Sequence, residues 1–310
     1  MKIIFAGTPQ FAVPSLQRLI DLNHDICAVY TQPDRPAGRG QQLQSSPVKT
    51  LALAYNIPVF QPLSLKNEED LHILQQFNAD LMVVVAYGMI LPQSVLDTPR
   101  LGCINGHGSL LPRWRGAAPI QRAVIEGDAQ TGVTIMQIVK KLDAGDMLHK
   151  EVYTIQSTDT SADVHDVLSM LSADGLEKVL PQIEAGTLTI EPQDETRVTY
   201  AQKLTKEESC LDWTQTADGL VRKIHGLNPW PVAHTLYNGS PMKIWQAEAL
   251  NETHTLQIGQ VRATHKTFDV ATGSGFVRIH ELQLPNGKRM SAGAFLAAHE
   301  VNGLVLTEGL

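Results

Sequence analysis

Short apolar strands alternate with helical segments through the first half of the chain. The strand candidates are KIIFA (2–6), DICAVYT (25–31), ADLMVVVAYG (79–88), GCINGHGS (102–109) and TGVTIMQIV (131–139). Residues 79–88 are apolar almost without interruption, which is typical of a strand that is covered on both faces. Strands that alternate with helices predict an α/β fold with a parallel-rich sheet.

The helices between these strands carry start signals that the sequence shows directly. The helix predicted at 46–56 has Ser46 as its N-cap and Pro47 at its first position. Both residue types are favoured at those positions. Further helices are predicted at 68–78 and at 160–186, where the pattern is long enough to close a domain.

The composition of the chain changes after the long helix. The segment at 188–207 is polar and has no long apolar period, so we predict a linker there. We expect one domain at 1–187 and a second at 208–310. In the second domain, Asn238-Gly239 lies between alternating segments and is a strong hairpin signal. The strand spacing predicts a small antiparallel barrel of about five strands.

Composition restricts the class of protein. The chain has 310 residues, of which 43% are hydrophobic and 18% are charged, an ordinary balance for a globular protein. The formal net charge of −7 argues against a general nucleic-acid binder, whose binding surface is usually basic. The first apolar run is too short for a membrane span and lacks the features of a signal peptide. We therefore expect a cytoplasmic protein.

The cysteines and histidines indicate neither a disulfide framework nor a metal site. Cys27, Cys103 and Cys210 are far apart and form no CxxC pair. For Cys103 we expect a buried apolar role. The histidines form no HExxH motif and no tight cluster with cysteine, so we expect no metal.

The segment CINGHGSLLPRWRGAAPIQ (103–121) contains the best candidates for catalytic side chains. Asn105 and His107 are two residues apart on a predicted strand, so their side chains share one face near its carboxyl end. Ligands bind at that edge of open α/β sheets. An amide donor beside a group that titrates near neutrality suits acyl transfer, in which an oxyanion is stabilised and a proton moves. The alternative is that both side chains only bond to loop backbone.

A second candidate segment, KKLDAGDM (140–147), follows the next strand and presents Asp143 and Asp146. A carboxylate next to His107 would orient the imidazole ring. The alternative is an Asx turn that has no catalytic role. No serine or cysteine lies in a nucleophile elbow, so we expect direct transfer rather than a covalent acyl-enzyme.

The loop TQPDRPAGRGQQLQSSP (31–47) is long for a connection within an α/β unit. It is rich in proline and glycine and contains Arg35 and Arg39, whose guanidinium groups suit charge-assisted bonds to phosphate. A solvated surface loop is the alternative. The turn FAGTP after the first strand has no glycine motif for phosphate, and we interpret it as a tight turn.

Motifs along nearly the whole chain closely resemble the methionyl-tRNA formyltransferase family. They are FAGTPQFAVPSL, TQPDRPAGRG, VVVAYGMILP, GCINGHGSLLPRWRGAAPIQ, TGVTIMQ, LDAGDM, TYAQKLTKEE and NPWP. The resemblance implies a Rossmann-like formyltransferase domain, then a C-terminal OB-like β-barrel that contacts tRNA. It also implies that the formyl group of 10-formyltetrahydrofolate is transferred to the α-amino group of methionine on initiator methionyl-tRNA.

The same resemblance implies roles for individual residues. The family's catalytic set corresponds to Asn105, His107 and Asp143. Its folate site corresponds to Ser109, Leu110, Leu111, Pro112, Tyr87, Gly88, Ile90 and Leu91. Its tRNA contacts correspond to Arg35, Arg39, Lys203 and Lys206. The implied partners are the folate donor and the initiator tRNA. We expect no metal, no membrane and a monomer.

Two positions depart from the family's pattern. Gly106 stands where the family has an aliphatic residue, and Lys141 stands where it has glycine. A glycine adds backbone freedom to the strand, and a lysine adopts a positive φ only with strain, so we expect strain at Lys141. We also predict a local basic face for tRNA, formed by Arg35, Arg39, Arg113, Arg115, Lys203, Lys206, Arg222 and Lys243.

Two other functions stay open at this stage. Formyl transfer to another amine, such as an amino sugar or a purine precursor, would use the same Asn105, His107 and Asp143 but has no need of the loop at 31–47. A non-catalytic RNA-binding or folate-binding relative would bind without turnover. A formylation assay with charged initiator tRNA separates the three.

Overall fold

The structure is a computed structural model that describes residues 1–37 and 42–307. Its strands are β1 (Lys2–Gly7), β2 (Asp25–Tyr30), β3 (Arg35–Ala37), β4 (Gln42–Gln44), β5 (Val59–Phe60), β6 (Leu81–Val85), β7 (Cys103–His107), β8 (Arg115–Gly116), β9 (Gln130–Gln137), β10 (Met147–Thr154), β11 (Tyr200–Ala201), β12 (His234–Tyr237), β13 (Ser240–Leu250), β14 (Val261–Ala263), β15 (Phe268–Ala271), β16 (Phe276–Gln283) and β17 (Met290–Ser291). Its helices are α1 (Val13–Asp21), α2 (Pro47–Ala54), α3 (Glu68–Gln76), α4 (Gln93–Leu96), α5 (Pro119–Glu126), α6 (Ser161–Ala185), α7 (Ala217–Gly226) and α8 (Ala292–Leu296).

The chain forms two compact units, neither of which is one continuous stretch of sequence. Unit 1 comprises residues 1–116, 131–153 and 165–201. Unit 2 comprises residues 117–130 and 154–164 together with the chain from Gln202 onward. The contiguous division into 1–187, 188–207 and 208–310 stays a prediction.

Seven strands form the central sheet of unit 1, in the order β10-β9-β7-β6-β1-β2-β5. Strand β1 pairs in parallel with β2 and β6, and β6 pairs in parallel with β7. Strand β7 then pairs antiparallel with β9. The prediction of an α/β fold with a parallel-rich sheet is confirmed. Because β1, β2, β6 and β7 run in the same direction, their carboxyl ends lie along one edge of the sheet.

Local sequence signals produced the elements that were predicted best. Strand β6 is buried along its whole length, as its unbroken apolar sequence indicated. Helix α2 begins at Pro47, and the Ser46 side chain caps it by accepting the backbone N–H of Lys49 at 3.0 Å. Helix α6 covers most of the predicted range 160–186.

The loop at 31–47 contains two short strands that the sequence did not predict. Strands β3 and β4 pair antiparallel, with Arg35 opposite Gln44. Three-residue strands are too short to give an alternating pattern, and Pro36 argues against a strand unless it lies at an edge. Arg39 lies outside the described residues.

The main sheet of unit 2 is antiparallel. Its order is β12-β13-β16-β15-β14, and β17 pairs with β16. Strands β12 and β13 form the predicted hairpin, in which Asn238 and Gly239 have φ angles of 49° and 74°. A two-residue turn of type I′ requires positive φ at both positions. Helix α7 contributes Leu220 and Ile224 to an apolar cluster that also contains Phe268. The predicted antiparallel C-terminal fold is confirmed, as a six-stranded sheet.

The chain has three cysteines. Cys27, Cys103 and Cys210 form no disulfide bond. Cys103 is buried as predicted, and burial raises the pKa of its thiol to about 12.

Of the helices in residues 1–37 and 42–307, none combines the length and the apolar character that a membrane span needs.

Candidate active site

Strand β7 holds Asn105 and His107 at the edge where the parallel strands end. Asn105 is paired with Val84 on one side, and Asn105 and His107 are opposite Met136 and Thr134 of β9 on the other. Residues two apart on a strand point to the same face. Within the described part of the chain, the Asn105 carboxamide has no hydrogen-bond partner. It is therefore a donor that is available to a ligand.

Gly106 points to the opposite face, where α6 covers the strand. A Cβ atom at position 106 would lie 2.5 Å from the Ser172 hydroxyl oxygen and 3.5 Å from a Val85 methyl group. Ser172 in turn accepts a hydrogen bond from Ser15 at 3.1 Å. Helix α6 thus approaches the strand closely at Gly106, and a larger residue there would require the Ser172 side chain to move.

The imidazole ring of His107 is almost fully buried, with 8% of the side chain exposed. Its Nε2 atom lies 2.8 Å from the main-chain oxygen of Trp114. A carbonyl oxygen can only accept, so Nε2 carries a proton. The Nδ1 atom faces the Asp143 carboxylate, with a distance of 3.9 Å to Oδ2. Asp143 is therefore at ion-pair distance from His107. We expected a carboxylate to orient the imidazole ring, but the hydrogen bond that orients it is made to the Trp114 carbonyl.

The Asp143 carboxylate has its own anchor on the chain segment that follows Trp114. Its Oδ2 atom accepts the backbone N–H of Gly116 at 2.8 Å, and 15% of its side chain is exposed. Asp143 itself has a positive φ of 46°, whereas Lys141 does not. The expected strain at Lys141 is therefore wrong, because the left-handed residue of this loop is the aspartate, a type that tolerates this conformation.

The segment SLLP continues from His107 as a tightly bonded turn. Ser109 donates its hydroxyl to the Arg113 carbonyl at 2.7 Å. The Thr134 hydroxyl donates to the Ser109 carbonyl at 2.7 Å and accepts the Leu111 N–H at 3.0 Å. The Leu111-Pro112 peptide bond is cis. Four of the residues predicted to line the folate site are thus fixed next to His107: Ser109, Leu110, Leu111 and Pro112.

The other predicted folate residues lie in the loop after β6. Its main chain turns through Ala86 and Gly88, which have φ angles of 47° and 77°. Side chains from two neighbouring strand ends hold the Tyr87 carbonyl, since Thr8 donates to it at 3.0 Å and Gln32 at 3.3 Å. The Tyr87 ring is buried, and its hydroxyl has no partner among the described residues. Burial also raises the pKa of that hydroxyl.

The apolar members of this loop differ in exposure. Leu91 belongs to the buried core, whereas Ile90 has 83% of its surface exposed. Ile90 therefore presents apolar surface to solvent at the sheet edge that carries Asn105 and His107.

The arginines of the candidate segment do not all face solvent. Arg115 is completely buried, with 0% of its surface exposed. Its guanidinium donates to the Gln193 side chain at 3.0 Å and to Glu195 at 2.8 Å. The prediction that Arg115 belongs to a basic surface for tRNA is therefore wrong. A buried guanidinium requires an acidic partner, but sequence reasoning could not locate it 80 residues further along the chain.

Thr199 and Gln193 are two further residues of the site that were not predicted from the sequence. Thr199 accepts the Trp114 N–H at its hydroxyl oxygen, at 2.9 Å. The Thr199 carbonyl accepts the Arg115 N–H, also at 2.9 Å. Gln193 is the second missed residue, and its amide bonds to the loop that carries Asp143. No periodicity or spacing marks these polar residues, which lie in a segment predicted as a linker.

The predicted tRNA contacts that the structure describes are on the surface. Arg35 is exposed on β3 in unit 1 and donates to the Gln32 side chain at 3.2 Å. Lys203 and Lys206 are exposed in unit 2. These three cationic side chains are open to a polyanion.

A cleft of about 780 Å³ lies within unit 2. Residues from α5, α7 and β13 line it, including Arg222, His225 and Glu248. None of the predicted catalytic or folate-site residues lines this cleft. In the chain outside 38–41 and 308–310, no group of three or more His, Cys, Asp or Glu side chains has the arrangement of a metal site.

Two family models match this chain. The formyl transferase model matches residues 1–180, and the model of the formyl transferase C-terminal domain matches residues 203–300. The fold and the two matched regions define a formyl transferase that carries the C-terminal domain of its family.

Curated relatives identify the particular family. Methionyl-tRNA formyltransferase of Methylococcus capsulatus is 53% identical over 303 residues, which cover 98% of this chain and 98% of the relative. Methionyl-tRNA formyltransferase of Hydrogenovibrio crunogenus is 50% identical over 307 residues, which cover 99% and 98%. The chain therefore belongs to the methionyl-tRNA formyltransferase family, as the motifs indicated.

Solved structures with the same fold include enzymes that act on sugars. A sugar 3N-formyl transferase, solved in the presence of dTDP and 5-N-formyl-THF, has a TM-score of 0.71 at 19% identity, with 93% of this chain and 99% of that chain covered. An N-formyltransferase from Helicobacter canadensis, in complex with folinic acid and dTDP-3-aminofucose, has a TM-score of 0.70 at 17% identity, with 94% and 100% covered. At such low identity the similarity shows the fold alone.

Proposed function

We propose that the chain transfers the formyl group of 10-formyltetrahydrofolate to the α-amino group of methionine on initiator methionyl-tRNA, which gives N-formylmethionyl-tRNA for translation initiation. One arrangement carries the proposal: the Nδ1 atom of His107 lies 3.9 Å from the Asp143 carboxylate, and Asn105 is on the same strand face. The acceptor is supported by the relatives at 50% and 53% identity, which are named methionyl-tRNA formyltransferases.

The proposed chemistry is a direct acyl transfer. The methionyl amine attacks the formyl carbon, a new C–N bond forms, and the carbonyl oxygen becomes an oxyanion. When the tetrahedral intermediate collapses, the bond between the formyl carbon and N10 of the folate breaks. The amine loses one proton and N10 gains one, so that proton must be carried from the attacking nitrogen to the leaving nitrogen.

Asn105 and His107 are suited to stabilise the oxyanion. The Asn105 carboxamide is not engaged by the described residues, so it can donate to that oxygen at any pH. Because Nε2 of His107 is committed to the Trp114 carbonyl, Nδ1 is the nitrogen that can meet the reacting atoms. When Nδ1 is protonated it can donate to the oxyanion, and the Asp143 carboxylate stabilises the positive charge. In this buried setting such donors act strongly on developing charge.

Asp143 is proposed to take part in moving the proton. Its carboxylate is held by the Gly116 N–H and is only partly exposed, so its position is fixed. Through Nδ1 of His107, or through a water between them, it can receive the amine proton that N10 finally takes.

The folate donor is proposed to bind along residues 87–91 and 109–112. The first segment supplies the exposed apolar surface of Ile90, and its main chain is held at Tyr87 by the Thr8 and Gln32 side chains. The second is the bonded turn after His107. An apolar wall with a few polar groups is what a flat pterin ring requires.

The tRNA is proposed to contact Arg35, Arg39, Lys203 and Lys206. Arg35, Lys203 and Lys206 are exposed, and Arg39 belongs to the same loop as Arg35. The acidic net charge does not prevent this contact, because phosphate contacts depend on local cations. We further propose that the protein acts as a monomer in the cytoplasm.

A second candidate is formyl transfer to an amino sugar. It is favoured by the fold, since sugar formyl transferases superpose on 93% and 94% of the chain. The two candidates share the catalytic set and differ in the acceptor amine.

The experiment that separates them supplies 10-formyltetrahydrofolate together with either charged initiator methionyl-tRNA or dTDP-3-aminofucose. We expect formyl-methionyl-tRNA and no formylated sugar. Uncharged tRNA and methionyl-elongator tRNA serve as control acceptors. Formylation of the sugar alone would replace the proposed function with the second candidate, and tRNA binding without product would indicate a non-catalytic relative.

A further inference from the structure

The loop that carries Asp143 belongs to a closed ring of side-chain bonds. Gln193 bonds to the main chain of this loop, Arg115 bonds to Gln193, Glu195 bonds to Arg115, and Lys141 bonds to Glu195. Lys141 is two residues before Asp143, so the ring returns to the loop from which it began. We call Lys141, Glu195, Arg115 and Gln193 the aspartate brace.

Gln193 fixes the main chain on both sides of the catalytic loop. Its amide nitrogen donates to the carbonyl of Asp143 at 2.8 Å and to the carbonyl of Gly145 at 2.8 Å. Its amide oxygen accepts from Nε of Arg115 at 3.0 Å. Both donor hydrogens and the acceptor are thus engaged, so the amide has one orientation.

Arg115 makes Glu195 indispensable to the brace. The guanidinium is always charged and has no access to solvent, so it must be paired inside the protein. Glu195 accepts from Nη2 at 2.8 Å. Arg115 first, and Lys141 second, lower the pKa of Glu195 to about 2. Glu195 therefore stays ionised at neutral pH and links the two cations.

Lys141 closes the brace from the solvent side. Its Nζ atom lies 2.7 Å from the second oxygen of Glu195, although 59% of the lysine side chain is exposed. An exposed ion pair of this kind adds little to global stability. It does restrict the chain two residues before Asp143, at the point where the main chain turns into the positive φ of the aspartate.

We propose that Lys141 and Glu195 are positioning residues, which hold the Asp143 carboxylate at its place beside His107 through the aspartate brace. This inference rests on the proposed function. A residue without a cationic side chain at position 141 would leave the loop without this anchor. In this chain the lysine provides it.

The test compares Lys141→Met, which keeps the side-chain length and removes the charge, with Lys141→Arg, which keeps the charge. Lys140→Met is the matched control, because Lys140 is the exposed neighbour and forms no ion pair with the described residues. Turnover of initiator methionyl-tRNA is measured with both substrates saturating, together with each KM and the melting temperature. Hydrogen exchange of the peptide at 141–146 is measured without substrates.

Lys141→Met is expected to lower kcat by about threefold to tenfold, since a small displacement of a catalytic group is costly to rate. Both KM values and the melting temperature should stay close to those of the wild type, and exchange at 141–146 should become faster. Lys141→Arg should restore kcat, and Lys140→Met should match the wild type. Glu195→Gln should lower kcat further, and adding Lys141→Met to it should have little extra effect.

Suppose that the wild type formylates the tRNA, but Lys141→Met and Lys140→Met have equal kcat and equal hydrogen exchange. This result would overturn the inference about the brace and leave the proposed function intact. A wild type that makes no formyl-methionyl-tRNA would overturn the proposed function. In that case faster exchange at 141–146 would still support the brace, and unchanged exchange would reject it.

Discussion

The imidazole of His107 is held by a main-chain atom, the carbonyl oxygen of Trp114, which lies 2.8 Å from Nε2. The Asp143 carboxylate is held separately, by the N–H of Gly116 two residues further on. Both groups are therefore positioned by one short segment at 114–116, and they face each other across 3.9 Å. The turn that follows the SLLP motif thus positions both of the proposed catalytic side chains through its main-chain atoms.

The proposed role of Asn105 as an oxyanion donor predicts a change in rate without a change in stability. Asn105→Ala is expected to lower kcat by about 100-fold or more, the usual effect of removing one such donor. The melting temperature should hardly move, because the carboxamide has no partner within the described chain. Steady-state kinetics with both substrates saturating measure the effect, with the exposed Asn251→Ala as control. Near-normal turnover would show that Asn105 has another role.

The charge of Asp143 can be separated from its hydrogen bond. Asp143→Asn keeps an oxygen that can accept the Gly116 N–H and tolerates the positive φ, but it removes the charge beside His107. We expect kcat to fall by about 100-fold while the protein melts as before. Asp146→Asn changes the second aspartate of the same loop and should leave kcat unchanged. If both variants lose activity equally, the loss does not depend on the charge at position 143 in particular.

The close approach of Gly106 and Ser172 predicts that substitutions at these two positions have non-additive effects on stability. Gly106→Ala places a Cβ 2.5 Å from the Ser172 hydroxyl oxygen and should lower the free energy of unfolding by about 1–3 kcal/mol, as overpacking does. Ser172→Ala removes that oxygen but leaves the Ser15 hydroxyl without its acceptor. The double variant should therefore be more stable than the sum of the single effects indicates. Denaturant unfolding of the four proteins measures this coupling, and strictly additive effects would contradict the close approach.

The ionisation of Glu195 predicts how acid affects the fold. The pKa of this carboxyl is lowered to about 2 in the folded chain, from an ordinary 4.5. Between these values the unfolded chain binds the proton more readily, so the contribution of Glu195 to stability is lost as the pH falls from about 5 toward 2. The melting-temperature difference between the wild type and Glu195→Gln should be full above pH 4.5 and should shrink below it. A difference that does not vary with pH would mean that the Arg115 and Lys141 contacts leave this carboxyl unshifted.

The proposed phosphate contacts predict a dependence on salt. Affinity for initiator tRNA should fall steeply as salt concentration rises, and the slope of log K against log salt should become shallower by about one for each contact removed. Lys203→Ala and Lys206→Ala test this, with Lys266→Ala as an exposed control in the same unit. A slope that none of the variants changes would place the tRNA elsewhere on the protein.

The sequence predicted best those elements whose cause is local. Strand β6 follows from an unbroken apolar run, and the start of α2 follows from Ser46 and Pro47. The hairpin at Asn238-Gly239 follows from residues that accept positive φ. Strands β3 and β4 were missed because three residues carry no period, and β3 contains Pro36.

Prediction of the site was limited in a different way. Spacing placed Asn105 and His107 on one face, and the family resemblance selected Asp143. Neither could show that a backbone carbonyl holds the imidazole ring, because main-chain atoms leave no signature in a sequence. Nor could charge alone show that Arg115 is buried, because its burial depends on Glu195, which is 80 residues away in the chain.

Arg115 precedes Gln193 by 78 residues and Glu195 by 80, so it is synthesised well before both of these partners. A polypeptide that ends at residue 187 would contain Asn105, His107 and Asp143, together with all of the folate segments. It would lack Glu195, which neutralises the buried guanidinium, and Gln193, which bonds to that guanidinium and to the aspartate loop. During synthesis, we therefore expect the Asp143 loop to reach its place beside His107 only after Gln193 and Glu195 have left the ribosome.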